Sequence, residues 1–199
     1  MSKLIVFAAP SGAGKTTIVK HLMHQFPQLT FSISATTRQP RPDEQEGKDY
    51  YFLSPAAFQE KIKNEEFVEW EEVYAGQYYG TLRNEIARLW AQKCHITFDI
   101  DVKGALNIKK AFPKETLTVF VKAPSLEVLY ERLRARNTES EEQLQKRMNR
   151  MLEESSYASQ FDYILVNDDL LEAFAEAETL VRNFIGEAPR PQENEYPEQ

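Results

Sequence analysis

A loop near the start of the chain carries residue types that bind phosphate. Residues 9–16 read Ala-Pro-Ser-Gly-Ala-Gly-Lys-Thr, directly after an apolar run and at the start of a helical segment. Glycines let successive backbone N–H groups face one anion, and the N-terminus of the helix adds partial positive charge. Lys15 would reach the terminal phosphates of a nucleotide, and the hydroxyl of Thr16 could ligate Mg²⁺. The pattern predicts a nucleotide-phosphate loop, the alternative being a glycine-rich turn without a ligand.

One position departs from the usual pattern of such loops. Ala9 stands where the pattern begins with glycine. Alanine fits this backbone only if its φ is negative, because positive φ is strained for a residue with a side chain. The rest of the set, Gly12, Gly14, Lys15 and Thr16, is intact. We therefore expect a working loop with a negative φ at Ala9.

A second group of residues could bind another phosphate. Arg38 and Arg41 stand three residues apart in a loop that contains two prolines, and the forked guanidinium group matches phosphate geometry. The hydroxyls of Tyr50 and Tyr79 could donate to a phosphate without adding charge. Singly, each residue has an ordinary explanation, since arginines near prolines usually lie in a solvated loop and a tyrosine is usually packed. Their joint occurrence in this order favours a second anion site.

Strand and helix patterns alternate around these loops. Apolar runs predict strands at residues 4–8, 95–100, 116–121 and 163–166. Helical patterns predict helices at residues 14–26, 81–92, 102–112, 125–136, 141–159 and 169–185. Alternating strands and helices predict an α/β domain with a mainly parallel sheet.

Three regions depart from this alternation. Residues 34–81 are rich in Arg, Pro and aromatics and predict an inserted α+β lobe, with short strands at 50–53 and 67–74. The arginine-rich stretch 132–150 lies on two predicted helices joined at 136–140 and fits a cover over a site. The tail 186–199 is rich in Pro, Glu and Gln and is predicted to be disordered. The predicted division is one domain over 1–185, with its core at 1–33, 82–125 and 155–185, its lobe at 34–81 and its lid at about 126–154.

Composition excludes several other classes of protein. The formal net charge is −7 and the pI about 5.2, so the chain is a poor candidate for binding nucleic acid or a membrane surface. Cys94 is the only cysteine, and its side chain is expected to contribute to packing rather than to take part in a reaction. No segment approaches the roughly 20 apolar residues that span a bilayer, and the start has no secretory signal. We expect a soluble, cytosolic protein, either a monomer or a homodimer.

The sequence closely resembles guanylate kinases over roughly residues 3–184. Separated motifs carry the resemblance: Pro-Ser-Gly-x-Gly-Lys at 10–15, Thr-Thr-Arg-x-Pro-Arg at 36–41, Gly-Lys-Asp-Tyr at 47–50, Phe-Val-Glu-Trp at 67–70, Tyr-Tyr-Gly-Thr at 78–81, Asp-Ile-Asp at 99–101 and Val-Asn-Asp-Asp-Leu at 166–170. Two positions depart from the family pattern, Lys103 where Gln is common and Asn137 where Gly is usual. The resemblance implies a P-loop nucleoside monophosphate kinase with a central parallel sheet, a GMP-binding lobe and a helical lid. It also implies transfer of the γ-phosphoryl group of ATP to GMP with Mg²⁺.

The resemblance assigns a role to each candidate residue. The residues implied to bind ATP are Pro10, Ser11, Gly12, Ala13, Gly14, Lys15, Thr16 and Thr17, with Asn167 near the adenine and Thr16 at the metal. Those implied to bind GMP are Ser34, Glu69 and Thr81 at the guanine, Arg38, Arg41, Tyr50 and Tyr79 at the phosphate, Glu44 beside them, and Asp99 and Asp101 beside the acceptor and the water shell of the metal. The catalytic set is Lys15, Arg38, Arg132, Arg136 and Arg147.

Chemistry supports the assignment of guanine independently. Guanine has donors at N1 and at its N2 amino group, and an acceptor at O6. The carboxylate of Glu69 could accept from both donors, while the hydroxyls of Ser34 and Thr81 could donate toward O6. Adenine has an acceptor at N1 and would be repelled by Glu69. Polar matching of this kind can discriminate by roughly 10⁴–10⁵.

Other functions stay open from the sequence alone. A kinase for another monophosphate or a small polyol would lack the trio Ser34, Glu69 and Thr81. Guanylate-kinase-like domains also serve as silent modules that bind phosphopeptides, typically with a damaged phosphate loop. Arg132 and Arg136 could instead form surface ion pairs worth well under about 1 kcal/mol, and Arg134 and Arg150 are interpreted as surface residues.

Overall fold

The computed structural model describes residues 1–134 and 141–187, which contain strands, helices and one short 3₁₀ turn at Ala158–Gln160. The strands are β1 (Leu4–Ala8), β2 (Leu29–Phe31), β3 (Ala35–Thr36), β4 (Tyr51–Phe52), β5 (Phe67–Tyr74), β6 (Gln77–Leu82), β7 (His95–Phe98), β8 (Thr116–Lys122) and β9 (Tyr163–Val166). The helices are α1 (Lys15–Gln25), α2 (Pro55–Lys63), α3 (Arg83–Ala91), α4 (Val102–Ala111), α5 (Leu126–Arg134), α6 (Glu141–Ser156) and α7 (Leu170–Ile185).

A five-stranded parallel sheet in the order β2-β7-β1-β8-β9 forms the centre of the fold. Every residue of β1 is completely buried, which explains its continuous apolar run, because helices cover both faces of the sheet. Ile5 and Phe7 pack with residues of α1 and α7 on one face. Leu4 and Val6 pack with residues of α3 and α4 on the other. The predicted α/β class with a parallel sheet is confirmed.

A second sheet is built from the inserted residues. Its order is β4-β3-β6-β5, with β6 antiparallel to both of its neighbours. Helix α2 covers it through Phe58, which is fully buried with Ala35, Phe67 and Leu82. This arrangement confirms the predicted α+β character of the insert, while the division into core, lobe and lid stays a proposal.

Most predicted elements are found close to their expected bounds, and the differences have local causes. The helix predicted at 81–92 begins at Arg83, because β6 continues to Leu82. The strand predicted at 95–100 ends at Phe98. Four elements were not predicted, namely β2, β3, β6 and α2, and three of them are strands of only two to six residues. For α2 the signal was present, since Ser54 caps the helix and Pro55 is its first residue.

Some predictions fall on residues that the structure does not describe. These are the end of the helix predicted at 125–136, the junction 136–140 with Arg136 and Asn137, and the tail from residue 188 onward. In the part of the chain that the structure describes, no helix is long and apolar enough to cross a lipid bilayer.

Candidate active site

The loop between β1 and α1 has the geometry of a phosphate loop. Gly12 and Gly14 have φ values of 93° and 94°, a left-handed conformation that favours glycine. Gly14 is the N-cap of α1, so the backbone turns sharply into the helix at the point where an anion would meet the helix N-terminus. Ala9 does not adopt positive φ, which confirms the expectation for that position. The missing first glycine therefore causes no strain.

An open cavity of about 610 Å³ lies over this loop. Its floor is the loop from Ala9 to Thr17, one wall is the segment Asp99–Asp101 after β7, and the opposite wall comes from α6. Arg147 and Arg150 are the cations on that wall. The volume and the three cations Lys15, Arg147 and Arg150 suit the polyphosphate of a nucleotide, and the carboxylates of Asp99, Asp101 and Glu154 also line the cavity.

Lys15 lies at the inner edge of this cavity. Its ammonium group is 2.6 Å from Oδ1 of Asp99 and donates to the carbonyl of Ile100 at 3.2 Å. The Asp99 side chain is 68 % exposed, whereas that of Lys15 is 18 % exposed. A phosphate that enters the loop would compete with a hydrated carboxylate for the lysine, which is an exchange of modest cost.

A second cavity of about 220 Å³ adjoins the first. The two cavities share Asp99, Ile100, Asp101 and Arg150 as lining residues. The remaining lining residues come mainly from the insert and are Ser34, Tyr50, Glu69, Glu71, Val73, Tyr79 and Gly80. Two adjacent sites with a common wall could hold a donor and an acceptor of a transferred group.

Arg38 and its partners form the anion-binding side of the insert. The guanidinium group donates two hydrogen bonds of 2.8 Å to the carboxylate of Glu44, and its Nε donates to the hydroxyl of Tyr79 at 3.2 Å. It also lies 5.3 Å from the ring centre of Tyr50. The hydrogen bonds from Arg38, with one from the backbone N–H of Arg41, lower the pKa of Glu44 to about 2. Arg38 is thus held in a fixed direction, with Glu44 as its support.

Glu69 and Thr81 face each other across neighbouring strands of the insert. The hydroxyl of Thr81 donates to Oε1 of Glu69 at 2.6 Å, and both side chains are buried. Burial is the main influence that raises the pKa of Glu69 to about 7, the charge of Asp101 adds to it, and the hydrogen bond from Thr81 opposes it. Thr81 is therefore engaged in orienting the carboxyl group, whereas the sequence suggested that its hydroxyl reads the base directly.

Comparisons with known proteins agree with this geometry. The family model described as "Guanylate kinase" matches residues 1–184. The guanylate kinase of Chlorobium chlorochromatii is 47 % identical over 92 % of this chain and 96 % of that protein. The guanylate kinase of Porphyromonas gingivalis is 44 % identical over 93 % of this chain and 99 % of that protein. The crystal structure of guanylate kinase from Anaplasma phagocytophilum is 27 % identical, with a TM-score of 0.69 over 92 % of this chain and 85 % of that one.

The chain belongs to the guanylate kinase family. The comparisons also confirm the resemblance drawn from the motifs and its extent of roughly residues 3–184.

Most candidates line the two cavities, Arg136 lies outside the described residues, and the linings do not include Ala13, Arg38, Arg41, Glu44, Thr81, Arg132 and Asn167. Pro10, Ser11, Gly12, Gly14, Lys15, Thr16 and Thr17 line the first cavity with Arg147. Ser34, Tyr50, Glu69, Tyr79, Asp99 and Asp101 line the second. Ala13 is fully buried. Arg132 donates two hydrogen bonds of 3.3 Å to the main-chain carbonyl of Asn167 rather than pairing at the surface. The amide of Asn167 donates to the carbonyl of Ala13.

Arg150 and Glu71 are charged residues at the site that were not identified from the sequence. Arg150, interpreted as a surface residue, lines both cavities and contacts Glu154 at 2.9 Å. Glu71 lines the second cavity, and its hydrogen bond with Asp101, together with burial, raises its pKa to about 7. Although burial opposes it, the hydrogen bonds from Glu71 and Gly104 lower the pKa of Asp101. The strand period of two could have indicated Glu71, since it follows Glu69 on the same face of β5.

Gly104 is a third residue that sequence reasoning missed. Asp101 caps α4 by accepting from the N–H of Gly104 at 2.8 Å. A Cβ added at Gly104 would lie 3.1 Å from Oε2 of Glu69 and 3.4 Å from Oδ1 of Asp101. A side chain at this position would therefore require the carboxyl group of Glu69 to shift by a few tenths of an ångström.

Proposed function

We propose that the chain transfers the γ-phosphoryl group of ATP to GMP, giving ADP and GDP. The observation that carries the proposal is the common wall between the phosphate-loop cavity and the cavity of the insert. A donor polyphosphate on the loop and an acceptor phosphate at Arg38 would meet at this wall. Asp99, Asp101 and Arg150 of this wall line both cavities.

In this proposal catalysis consists of positioning and neutralisation of charge. The attacking group is an oxygen of the GMP phosphate, which is already ionised at neutral pH, so no general base is required. Lys15 and Arg147 would neutralise the donor side, and Arg38 with Tyr79 would orient the acceptor. Both terminal nitrogens of Arg38 donate hydrogen bonds to the carboxylate of Glu44. We therefore infer that Glu44 sets the orientation of the guanidinium group.

The base would be recognised by acidic side chains in the second cavity. Glu69 in its ionised form can accept from N1–H and from the N2 amino group of guanine, and Asp101 can accept at the same edge. Ser34 lines the same cavity and can donate toward O6. Adenine presents no donor at N1, so a buried carboxylate would be left unpaired beside it, which is a costly mismatch.

Magnesium would accompany ATP in this reaction. Thr16 and Asp99 line the first cavity, and hard oxygen donors of these types suit Mg²⁺. Within residues 1–134 and 141–187 no group of three or more His, Cys, Asp or Glu side chains could hold a metal ion by itself. We propose that Thr16 holds the ion directly and that Asp99 holds its water ligands, with phosphates as its other ligands. When bound, the ion would neutralise charge on the β- and γ-phosphates. We place this activity in the cytoplasm.

A coupled assay of ADP release tests the proposal. The native chain is supplied with MgATP and, separately, with GMP, AMP, UMP and CMP. Turnover with GMP and at least about 10³-fold lower kcat/KM with AMP is expected from the polar matching at Glu69. Preference for AMP or UMP would overturn the assignment of the base. GMP binding without turnover on any acceptor would overturn the kinase and favour a module that only binds.

Substitution of Gly104 by alanine is expected to weaken GMP and leave ATP unaffected. The new methyl group would displace the carboxyl group of Glu69, whose other oxygen is fixed by Thr81, so we expect the KM for GMP to rise about tenfold. The KM for ATP should change less than about twofold. Alanine favours a helix over glycine by about 1 kcal/mol, so the melting temperature should not fall. Asn107→Ala on the exposed side of α4 is the matched control, and an equal change in both KM values would contradict the prediction.

Binding of GMP is expected to tighten as the pH rises from 6 to 8. The pKa of Glu69 is about 7 before GMP binds, and the guanine donors require the ionised carboxylate. The ionised fraction rises about tenfold over this range, so the Kd measured by calorimetry should fall about tenfold. The Kd of ATP serves as the comparison.

The phosphate of GMP also ionises near pH 6, and Glu71 has a pKa of about 7 as well. In Glu69→Gln the phosphate of GMP still contributes to the pH dependence of the Kd. In Glu71→Gln the contribution of the second carboxyl group to that pH dependence is removed. The pH dependence of GMP binding should shrink in Glu69→Gln. If it is unchanged there and lost in Glu71→Gln, the titrating group has been assigned wrongly.

A further inference from the structure

We propose that Asn167 is a positioning residue of the phosphate loop, which it holds through the carbonyl of Ala13, and that it does not select the base of the donor nucleotide. The inference rests on the proposed function for its consequence in catalysis. Its structural content, a fixed loop, can be tested without any turnover.

The contacts of Asn167 tie the loop to the central sheet. Its side-chain amide donates to the carbonyl of Ala13 at 2.8 Å, across 154 positions of the chain. Its backbone N–H donates to the carbonyl of Lys122 at the end of β8, at 2.7 Å. Arg132 of α5 donates two further hydrogen bonds to its carbonyl. The main-chain N–H and carbonyl of Asn167 thus both form hydrogen bonds, so the backbone from which the side chain extends is fixed.

The orientation of one peptide group in the loop follows from this contact. A trans peptide group is planar, with its C=O and N–H pointing in opposite directions. The carbonyl of Ala13 shares its peptide group with the N–H of Gly14. Since Asn167 holds this carbonyl on the buried side, the N–H of Gly14 points the other way. Gly14 lines the first cavity whereas Ala13 is fully buried, so this N–H is directed to the side on which a phosphate would bind.

The absence of a side chain at Gly14 is the counterpart of this contact. A Cβ at Gly14 would lie 2.2 Å from Nδ2 of Asn167 and 3.5 Å from its Cγ. Gly14 is thus required twice, for its φ of 94° and for the space that the amide fills. At Gly47, Gly76 and Gly186, which also have positive φ, no atom lies closer than 3.8 Å to the missing Cβ.

The same contacts argue against a role in reading adenine. Asn167 is 5 % exposed, so little of its side chain could meet a base. A carbonyl oxygen can only accept, so the NH₂ group of Asn167 is the end that faces Ala13, and one of its two N–H donors is committed to the loop. The family resemblance suggested a position near the adenine, and proximity alone does not require a hydrogen bond to the base.

The experiment compares ligands that share the polyphosphate and differ in the base. Asn167→Leu keeps the shape of the side chain and removes the hydrogen bond, and Asn167→Ala is a smaller second variant. Calorimetry with magnesium measures the Kd of ATP, GTP and inorganic tripolyphosphate for the full chain. A positioning role predicts that all three weaken by the same factor, about tenfold for the loss of one buried hydrogen bond. The KM for ATP should rise while the KM for GMP stays within about twofold.

The other outcomes each overturn the inference. Weakened ATP with unchanged tripolyphosphate would assign Asn167 to the base. Unchanged binding of all three ligands in both variants would show that the loop keeps its shape without this contact. Retained GMP binding shows that a variant has folded, and Asn107→Leu on the exposed side of α4 is the control for the substitution itself. If the native chain bound tripolyphosphate and had no kinase activity, the proposed function would fail and the positioning role would still be tested.

Discussion

Replacing Lys15 by alanine is expected to lower kcat/KM for phosphoryl transfer by about 10³-fold or more. Removal of one fixed positive group or donor from the transition state typically costs 10² to 10³, and a catalytic arginine is worth up to about 10⁵. Lys15 is the cation that the loop itself supplies, and its two partners Asp99 and Ile100 hold the ammonium group at the inner edge of the cavity. Arg147 and Arg150 stand on the far wall and cannot take its place without moving.

The stability of the fold should be nearly unchanged in this variant. Asp99 is 68 % exposed, so its ion pair with Lys15 is worth at most about 1 kcal/mol and its carboxylate is hydrated after the lysine is lost. A loss of activity without a decrease in melting temperature would therefore show that Lys15 acts in the reaction and not in folding. Lys20→Ala, at an exposed position of the same helix, is the matched control and should retain activity within about twofold. If Lys15→Ala kept more than a tenth of the native kcat/KM, Lys15 would not be a catalytic residue.

The phosphate loop could be predicted because its chemistry is local. The glycines, the lysine and the threonine stand within eight residues, between a strand and a helix that have clear patterns of their own. The strand of the central sheet next to the loop could be predicted for the same reason, since burial on both faces leaves a continuous apolar run. Such features depend on neighbours in the chain, and a single sequence contains them.

The support of the site could not be predicted in the same way because it depends on contacts between distant segments. Glu71 matters because Asp101 of another segment meets it, and Gly104 matters because a carboxyl group from β5 lies over α4. The contact from Asn167 to Ala13 spans most of the chain. Arg150 was assigned to the surface, and only the position of α6 brings it to the wall shared by the two cavities. Residue types alone do not show which of the many charged side chains will be in contact in the folded chain.

Replacing Glu69 by glutamine is expected to lower kcat/KM for GMP by about 10²–10³-fold while stabilising the fold at alkaline pH. The carboxylate would accept two hydrogen bonds from guanine, and hydrogen bonds to a charged group are worth about 1.5–3 kcal/mol each. Glutamine can accept only one of them and turns a donor toward the other. The hydrogen bond from Thr81 to Oε1 is retained, since the amide oxygen also accepts. Glu60→Gln on the exposed side of α2 should change neither activity nor stability.

The gain in stability has a sign and a pH range that follow from the raised pKa. Glu69 titrates at about 7 in the folded chain and at 4.5 in its ordinary environment. Between pH 4.5 and pH 7 the folded chain binds the proton of Glu69 more tightly than the unfolded chain does. The contribution of this proton to stability is therefore fully present below pH 4.5 and is lost as the pH rises through 7. Glutamine does not ionise and avoids this loss, which amounts to about 3 kcal/mol at most for a shift of this size. In urea unfolding, the difference between Glu69→Gln and the native chain should therefore grow from pH 5 to pH 7 and level off by pH 8. A constant difference would mean that Glu69 is already ionised at pH 5. In that case, ionisation of the buried Glu69 carboxyl group would not lower the stability of the fold, and selection of guanine would have no cost in stability.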